Sequence, residues 1–164
     1  MSAPLHVAPY RDAAGPEVID LILNIQRGEF GLPITAADQP DLADIPGFYQ
    51  QGDGNFWLAR RGGVLAGTVA LKDIGDDLCA LRKMFVAREH RGAASGVAAA
   101  LLAAALDWAR GRGVRALYLG TTDRFLAAHR FYAKHGFDRV SREELPPAFP
   151  VMAVDTVFFR LALA

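Results

Sequence analysis

The sequence has a single cysteine, no excess of either charge and no long apolar run. Because Cys79 has no partner in the chain, an internal disulfide is excluded and a reducing, cytoplasmic location is favoured. Eighteen basic and eighteen acidic residues give a formal net charge of zero. A general nucleic-acid binder needs a basic excess to neutralise phosphates, so this class is disfavoured.

Other absences point the same way. No apolar run reaches the roughly 18 residues of a membrane helix. Residues 1–12 lack the basic and apolar pattern of a signal peptide. No Cys/His cluster has the spacing of metal ligands. We therefore expect a soluble protein with no metal and no nucleic-acid or membrane partner.

Length and hydrophobicity predict one folded domain over residues 1–164, since 52% of residues are hydrophobic and 22% charged. The local patterns give the order strand, two helices, three strands, helix, strand, helix and two strands. This order predicts an α+β fold, with a mixed sheet of about seven strands flanked by about four helices. The strand–helix–strand unit from Cys79 to Leu119 should cross over right-handed, which makes its two strands parallel.

Several element boundaries follow from periodicity and from turn residues. Helical spacing of apolar residues predicts a helix over residues 16–30. A second helix is expected at 123–135, with Asp123 as its N-cap. Strand is expected over 137–143, and alternation near the end of the chain predicts a final long strand over 151–163.

The segment EHRGAASGVAAALL, residues 89–102, joins the fourth strand to a helix and has no carboxylate from Arg91 to Leu106. A helix start exposes unpaired N–H groups, and small residues let a ligand approach them, which predicts a phosphate site. The segment lacks the lysine of a nucleoside-triphosphate loop and the third glycine of a dinucleotide fingerprint. The alternative is purely structural: Gly92 makes a turn, Ser95 caps the helix, and the alanines allow tight helix packing.

This segment resembles the acyl-CoA signature of the GNAT superfamily of N-acetyltransferases, commonly R-G-x-G-x-G-x-x-L-L. Arg91-Gly92 match its start, and Gly96-Val97-Ala98 with Leu101-Leu102 match its end, across a loop two residues longer. The segment FLAAHRFYAKHGF, residues 125–137, resembles the family's second signature. An asparagine common in that signature is Phe125 here.

The resemblance implies a GNAT fold and direct transfer of an acetyl group from acetyl-CoA to the primary amine of a small molecule. It also implies that strand backbone pairs with the pantetheine arm at Met84, Phe85 and Val86. The pyrophosphate would lie on the loop formed by Arg91, Gly92, Ala93, Ala94, Ser95, Gly96, Val97 and Ala98. Within that loop we favour the amides from Ser95 to Ala98.

The resemblance assigns Tyr132 to the cofactor and makes it the acid that protonates the departing thiolate, since a phenol is protonated at neutral pH. Its alternative is an aromatic packing residue beside Phe131. Glu29 is a candidate base beside Phe30, with an ordinary solvated carboxylate or a water relay as alternatives.

The acceptor side is less determined by the sequence. Glu29, Phe30 and Arg82 are the candidate acceptor-binding residues. Arg82 and Lys83 alternate across the fourth strand, so one of them should reach the cleft and bind an acceptor carboxylate. The final strand would close the acceptor site or form a homodimer interface. Two other functions stay open: a silent acyl-CoA-binding sensor, and acetylation of a protein or peptide amine.

Overall fold

The computed structural model describes residues 3–163. Residues 1, 2 and 164, which the predicted domain includes, lie outside this part, and the extent of the domain stays a prediction. The predicted α+β fold and its element order are confirmed. The strands are β1 Leu5–Pro9, β2 Asn55–Arg61, β3 Val64–Gly75, β4 Leu78–Val86, β5 Ala116–Thr121, β6 Asp138–Val140 and β7 Val157–Ala162. The helices are α1 Gly15–Leu23, α2 Ile45–Phe48, α3 Val97–Gly111 and α4 Leu126–Lys134.

The seven strands form one mixed sheet in the order β1-β2-β3-β4-β5-β7-β6. β1 to β4 pair antiparallel in succession. β4 and β5 are parallel, as the strand–helix–strand unit predicts. β7 lies antiparallel between β5 and β6. No helix within residues 3–163 has the length and apolar character needed to cross a membrane.

Helices cover both faces of the sheet, so neighbouring residues of a strand are buried on opposite sides. Trp57 of β2 packs in the cluster that includes Leu101 and Leu102 of α3. Phe56, the preceding residue, packs in the cluster that includes Ile22 of α1. Burial on both faces explains why β2 shows no alternation of polar and apolar residues.

β4 and β5 separate part-way along their length, which opens the sheet. They pair only from Leu78 opposite Ala116 to Ala80 opposite Tyr118. On its other edge, where it pairs with β3, β4 has a bulge. One residue separates Thr68 from Ala70 on β3, whereas two residues separate their partners Phe85 and Arg82 on β4. The bulge includes Lys83 at φ 55°, and the Thr68 hydroxyl donates to the Lys83 carbonyl at 2.7 Å.

The predicted final strand over 151–163 is wrong in its first half, because β7 begins only at Val157. Residues 149–156 form a loop in which Asp155 Oδ2 accepts from the Met152 N–H at 2.9 Å. Side-chain bonds of this kind compete with strand pairing. The predicted strand over 137–143 is likewise reduced to β6, which is followed by a 3₁₀ turn.

Two helices also have an end that differs from the predicted one. The first helix is α-helical only to Leu23 and continues as a π-helical turn over Asn24–Glu29. α4 begins at Leu126, and its N-cap position is Phe125 with no side-chain cap. The Asp123 N-cap is therefore wrong. Its backbone N–H instead donates to the Thr156 hydroxyl at 3.2 Å.

Candidate active site

A cavity of about 490 Å³ opens where β4 and β5 separate. One wall is β4 from Leu81 to Phe85, and another is the end of β5 from Leu119 to Thr122. The segment after α1, the loop before β7 and Tyr132 of α4 also line the cavity. The two strands leave backbone unpaired here, so a ligand can reach both main chain and side chains.

α3 follows β4 after a loop, and its start has no side-chain cap and no acidic residue in its first turn. Its N-cap is Gly96 at φ 73°, a conformation that favours glycine. Ser95, the alternative cap, makes no capping bond. The Ser95 and Gly96 amides donate to the Gly92 carbonyl at 3.2 and 3.3 Å. The Ala100 amide is the first that bonds back, to the Gly96 carbonyl, so the amides of Val97, Ala98 and Ala99 are the donors this helix start can offer.

Arg91 and Glu29 form an ion pair beside this loop. Arg91 Nη2 donates to Glu29 Oε1 at 2.9 Å, Nη1 contacts the other oxygen, and Nε donates to the Val86 carbonyl at 2.9 Å. The Glu29 carboxylate is thereby held beside Arg91, and Glu29 is not among the residues that line the cavity. Its role as a base stays a prediction.

Phe30 closes the space between the segment after α1 and the start of α4. Its ring contacts the Phe125 ring edge-on, with 4.6 Å between centroids, and Phe125 in turn lies 6.4 Å from Phe85. Arg124 Nη1 donates to the Phe30 carbonyl at 3.0 Å. Phe125, which stands where the family signature often has asparagine, therefore supplies an apolar contact to the cavity wall.

Tyr132 is buried, and its ring packs against Phe131, Phe137 and Phe159. Its hydroxyl has no hydrogen-bond partner among residues 3–163, and no fully buried side-chain nitrogen or oxygen there lacks one. The hydroxyl is therefore accessible, and Tyr132 lines the cavity. Burial raises the pKa of the phenol, which keeps it protonated and able to donate.

Arg82 lies in the cavity wall and has no ion-pair partner among residues 3–163. Its guanidinium is 5.6 and 5.8 Å from the ring centroids of Phe48 and Tyr49, and Nη2 lies 3.3 Å from Met152 Sδ. No carboxylate oxygen of the described residues is within 4 Å of it. An oriented, unpaired guanidinium is suited to a ligand carboxylate.

Lys83 also lines the cavity, although alternation predicts that only one of Arg82 and Lys83 faces it. The bulge in β4 turns both side chains to the same side. Lys83 Nζ lies 3.4 Å from Asp41 Oδ2 and donates to Gln39 Oε1. The pKa of this amine is lowered to about 8, because burial and, less strongly, Arg82 lower it more than Asp41 raises it.

Three polar residues that line the cavity were not identified from the sequence: Gln26, Gln39 and Asp155. Gln26 and Gln39 are buried and bond each other through their side-chain amides, with Gln39 Nε2 donating to Gln26 Oε1 at 2.8 Å. Asp155 lies in the loop that was predicted to be strand. None of the three belongs to either sequence signature, so no local signal in the sequence could identify them.

Comparison with known proteins agrees with this geometry. A sequence model of the Acetyltransferase (GNAT) family matches residues 19–137. A crystal structure of an acetyltransferase of the GNAT family from Staphylococcus aureus is 33% identical, with a TM-score of 0.94, and covers 98% of this chain and 100% of that one. This chain belongs to the GNAT family of acetyltransferases.

Other GNAT relatives share part of their length with this chain. N-acetylaspartate synthetase of Danio rerio is 34% identical over 125 residues, which are 74% of this chain and 44% of that protein. The chain thus spans less than half of this curated relative. The structure of yncA from Salmonella typhimurium with its cofactor acetyl-CoA shares the fold at a TM-score of 0.74 and 16% identity, over 98% of this chain and 94% of that one.

Proposed function

We propose that this GNAT protein transfers an acetyl group from acetyl-CoA directly to the primary amine of a small molecule. One observation carries the proposal: the hydroxyl of Tyr132 and an unpaired cation, Arg82, line one cavity that opens between β4 and β5. A cavity of about 490 Å³ is of a size that suits a small-molecule site.

The residues at the donor end fit acetyl-CoA. The backbone of Met84, Phe85 and Val86 lies on the part of β4 that does not pair with β5, where it would bond the pantetheine arm. The bare start of α3 and the charge of Arg91 would hold the pyrophosphate. When bound, acetyl-CoA supplies the acetyl group as a thioester. The yncA protein, which has this fold, was solved with that molecule.

Tyr132 acts as the acid in this proposal. A departing thiolate has a pKa near 8.5, and a buried phenol stays protonated well above that value. A route through an acyl-cysteine is disfavoured. Cys79 is buried, and burial raises the pKa of its thiol to about 12, which leaves no reactive thiolate near neutral pH.

The acceptor is an amine that also carries a carboxylate, which the free guanidinium of Arg82 and the amine of Lys83 bind from β4. The relative named N-acetylaspartate synthetase supports an acceptor of this class.

Turnover with matched amines tests the proposal. Free thiol release from acetyl-CoA is followed with a panel of amino acids and with the same compounds lacking the carboxylate. We expect turnover on amino acids, a loss of about 100-fold in kcat in Tyr132→Phe, and a raised KM for amino acids in Arg82→Gln.

Tyr10→Phe is the matched control, because its hydroxyl donates to the Asp12 carbonyl outside this cavity. Stabilisation by acetyl-CoA without turnover on any amine would favour the sensor function. Turnover only on peptides would favour a macromolecular acceptor, and no stabilisation by acetyl-CoA or CoA would refute the donor site.

A further inference from the structure

Asp155 lies against β5 at Gly120, where only a glycine leaves room for it. A Cβ atom at position 120 would lie 2.6 Å from Asp155 Oδ2 and 2.8 Å from its Cγ. Real Cβ atoms essentially never show such distances, so any other residue at 120 would displace the carboxylate. The missing side chain at Gly120 and the bond from Met152 therefore fix Asp155 in the cavity wall.

One oxygen of this carboxylate is left for a ligand. Oδ2 accepts from the Met152 N–H, whereas Oδ1 has no hydrogen-bond partner within residues 3–163. No cationic nitrogen of the described chain lies within 4 Å of either oxygen. Since no fully buried oxygen there is unpartnered, Oδ1 is accessible from the cavity.

The charges that face Asp155 come from two elements. Burial raises the pKa of the Asp155 carboxyl overall. Its ionised form is favoured by Arg82 and Lys83 on β4 and by Arg142 in the turn after β6. Arg82 and Lys83 line the same cavity but do not touch Asp155. A molecule with one positive and one negative group can therefore bind with its ammonium at Asp155 and its carboxylate at the β4 cations.

We propose that Asp155 binds the acceptor's ammonium group and removes one of its protons before the nitrogen attacks. This inference rests on the proposed acetyltransferase function and names its base. The other carboxylates fit the role less well. Glu29 is held by Arg91 outside the cavity lining, and Asp38 is exposed, with Oδ2 bonded to the Thr35 hydroxyl and N–H.

The proton and electron balance is complete with these groups. Asp155 takes one proton from the ammonium, and the freed nitrogen lone pair forms a C–N bond to the acetyl carbon. The C–S bond breaks with its electron pair on sulfur, and the Tyr132 hydroxyl donates its proton there. The second nitrogen proton returns to the Tyr132 oxygen, and Asp155 releases its proton to water. One proton leaves the protein in each turnover.

Asp155→Asn tests the proposal, because the amide oxygen can still accept from the Met152 N–H. We expect kcat/KM for an alkylamine amino acid to fall about 100-fold, with unchanged acetyl-CoA affinity and melting temperature. With hydroxylamine, which is already unprotonated at pH 7, the loss should shrink to a few-fold. A residue that only supports the loop would lower both rates equally.

Gly120→Ala is a second variant that moves Asp155 without changing its charge, and it should reproduce the same difference between the two acceptors. Asp107→Asn, at an exposed position on α3, is the matched control. Equal losses on both acceptors, or full activity of Asp155→Asn on alkylamines, would overturn the role of Asp155. If the wild-type protein turns over no amine at all, the proposed acetyltransferase function fails instead.

Discussion

The buried amine of Lys83 should make the stability of this protein depend on pH. Its pKa is about 8 in the folded protein against 10.5 for an ordinary lysine, chiefly because burial disfavours its charge. Between these values the unfolded chain binds more protons than the folded one. The contribution of Lys83 to the free energy of unfolding therefore rises with pH in this window and is lowest below about pH 8.

The size of the effect follows from the two pKa values. Integrating the difference in bound protons from about pH 7.5 to about pH 9.5 gives a contribution of about 2 kcal/mol from Lys83 to the free energy of unfolding. Cys79 opposes part of it in the same window, because burial raises the pKa of its thiol from 9.0 to about 12. Solvent screens this amine little, because the Lys83 side chain is only 7% exposed. Its partner Asp41 is 5% exposed and also accepts from the Tyr49 hydroxyl.

Urea denaturation at several pH values in this window measures the effect. Lys83→Met combined with Asp41→Asn should remove the increase without leaving a lone buried carboxylate. Lys134→Met, at an exposed position of α4, is the matched control and should keep it. If the double variant gains as much stability with pH as the wild-type protein, the increase does not come from Lys83.

Three further substitutions test other parts of the structure. Glu29→Gln frees Arg91 from a half-exposed ion pair and should tighten acetyl-CoA binding roughly two- to five-fold at low salt by calorimetry; a fall in kcat alone would instead support Glu29 as base. Gly67→Ala should lower the free energy of unfolding by about 1–3 kcal/mol, since its Cβ would lie 2.8 Å from a β4 carbonyl oxygen. Gly111→Ala, with open space around its Cβ, should show no such loss in the same urea titration. Ala99→Glu should stabilise the free protein by about 0.3–1 kcal/mol, because a carboxylate favours a helix start, and should weaken acetyl-CoA binding. The rise in melting temperature on adding acetyl-CoA should then be smaller than in the wild-type protein. An equal or larger rise would contradict an anion site at the start of α3.

The sequence predicts most of the fold because the patterns involved are local. Element order, the parallel pairing of β4 and β5, and the bare start of α3 all follow from periodicity, turn residues and missing charges within short segments. The two signatures around Arg91 and Tyr132 point to the family for the same reason. Boundaries were predicted less well: β7 was placed six residues early because its alternation runs through a loop that Asp155 holds.

The composition of the cavity was decided by tertiary structure. A single bulge in β4 puts Arg82 and Lys83 on the same side, where simple alternation separates them. Glu29 meets Arg91 across 62 residues of sequence. Asp155 reaches the cavity only because Gly120, on a different strand, has no side chain. Local patterns determine which segments form strands and helices, whereas the direction of a side chain at the site depends on one extra residue in a strand or on space left by a distant one.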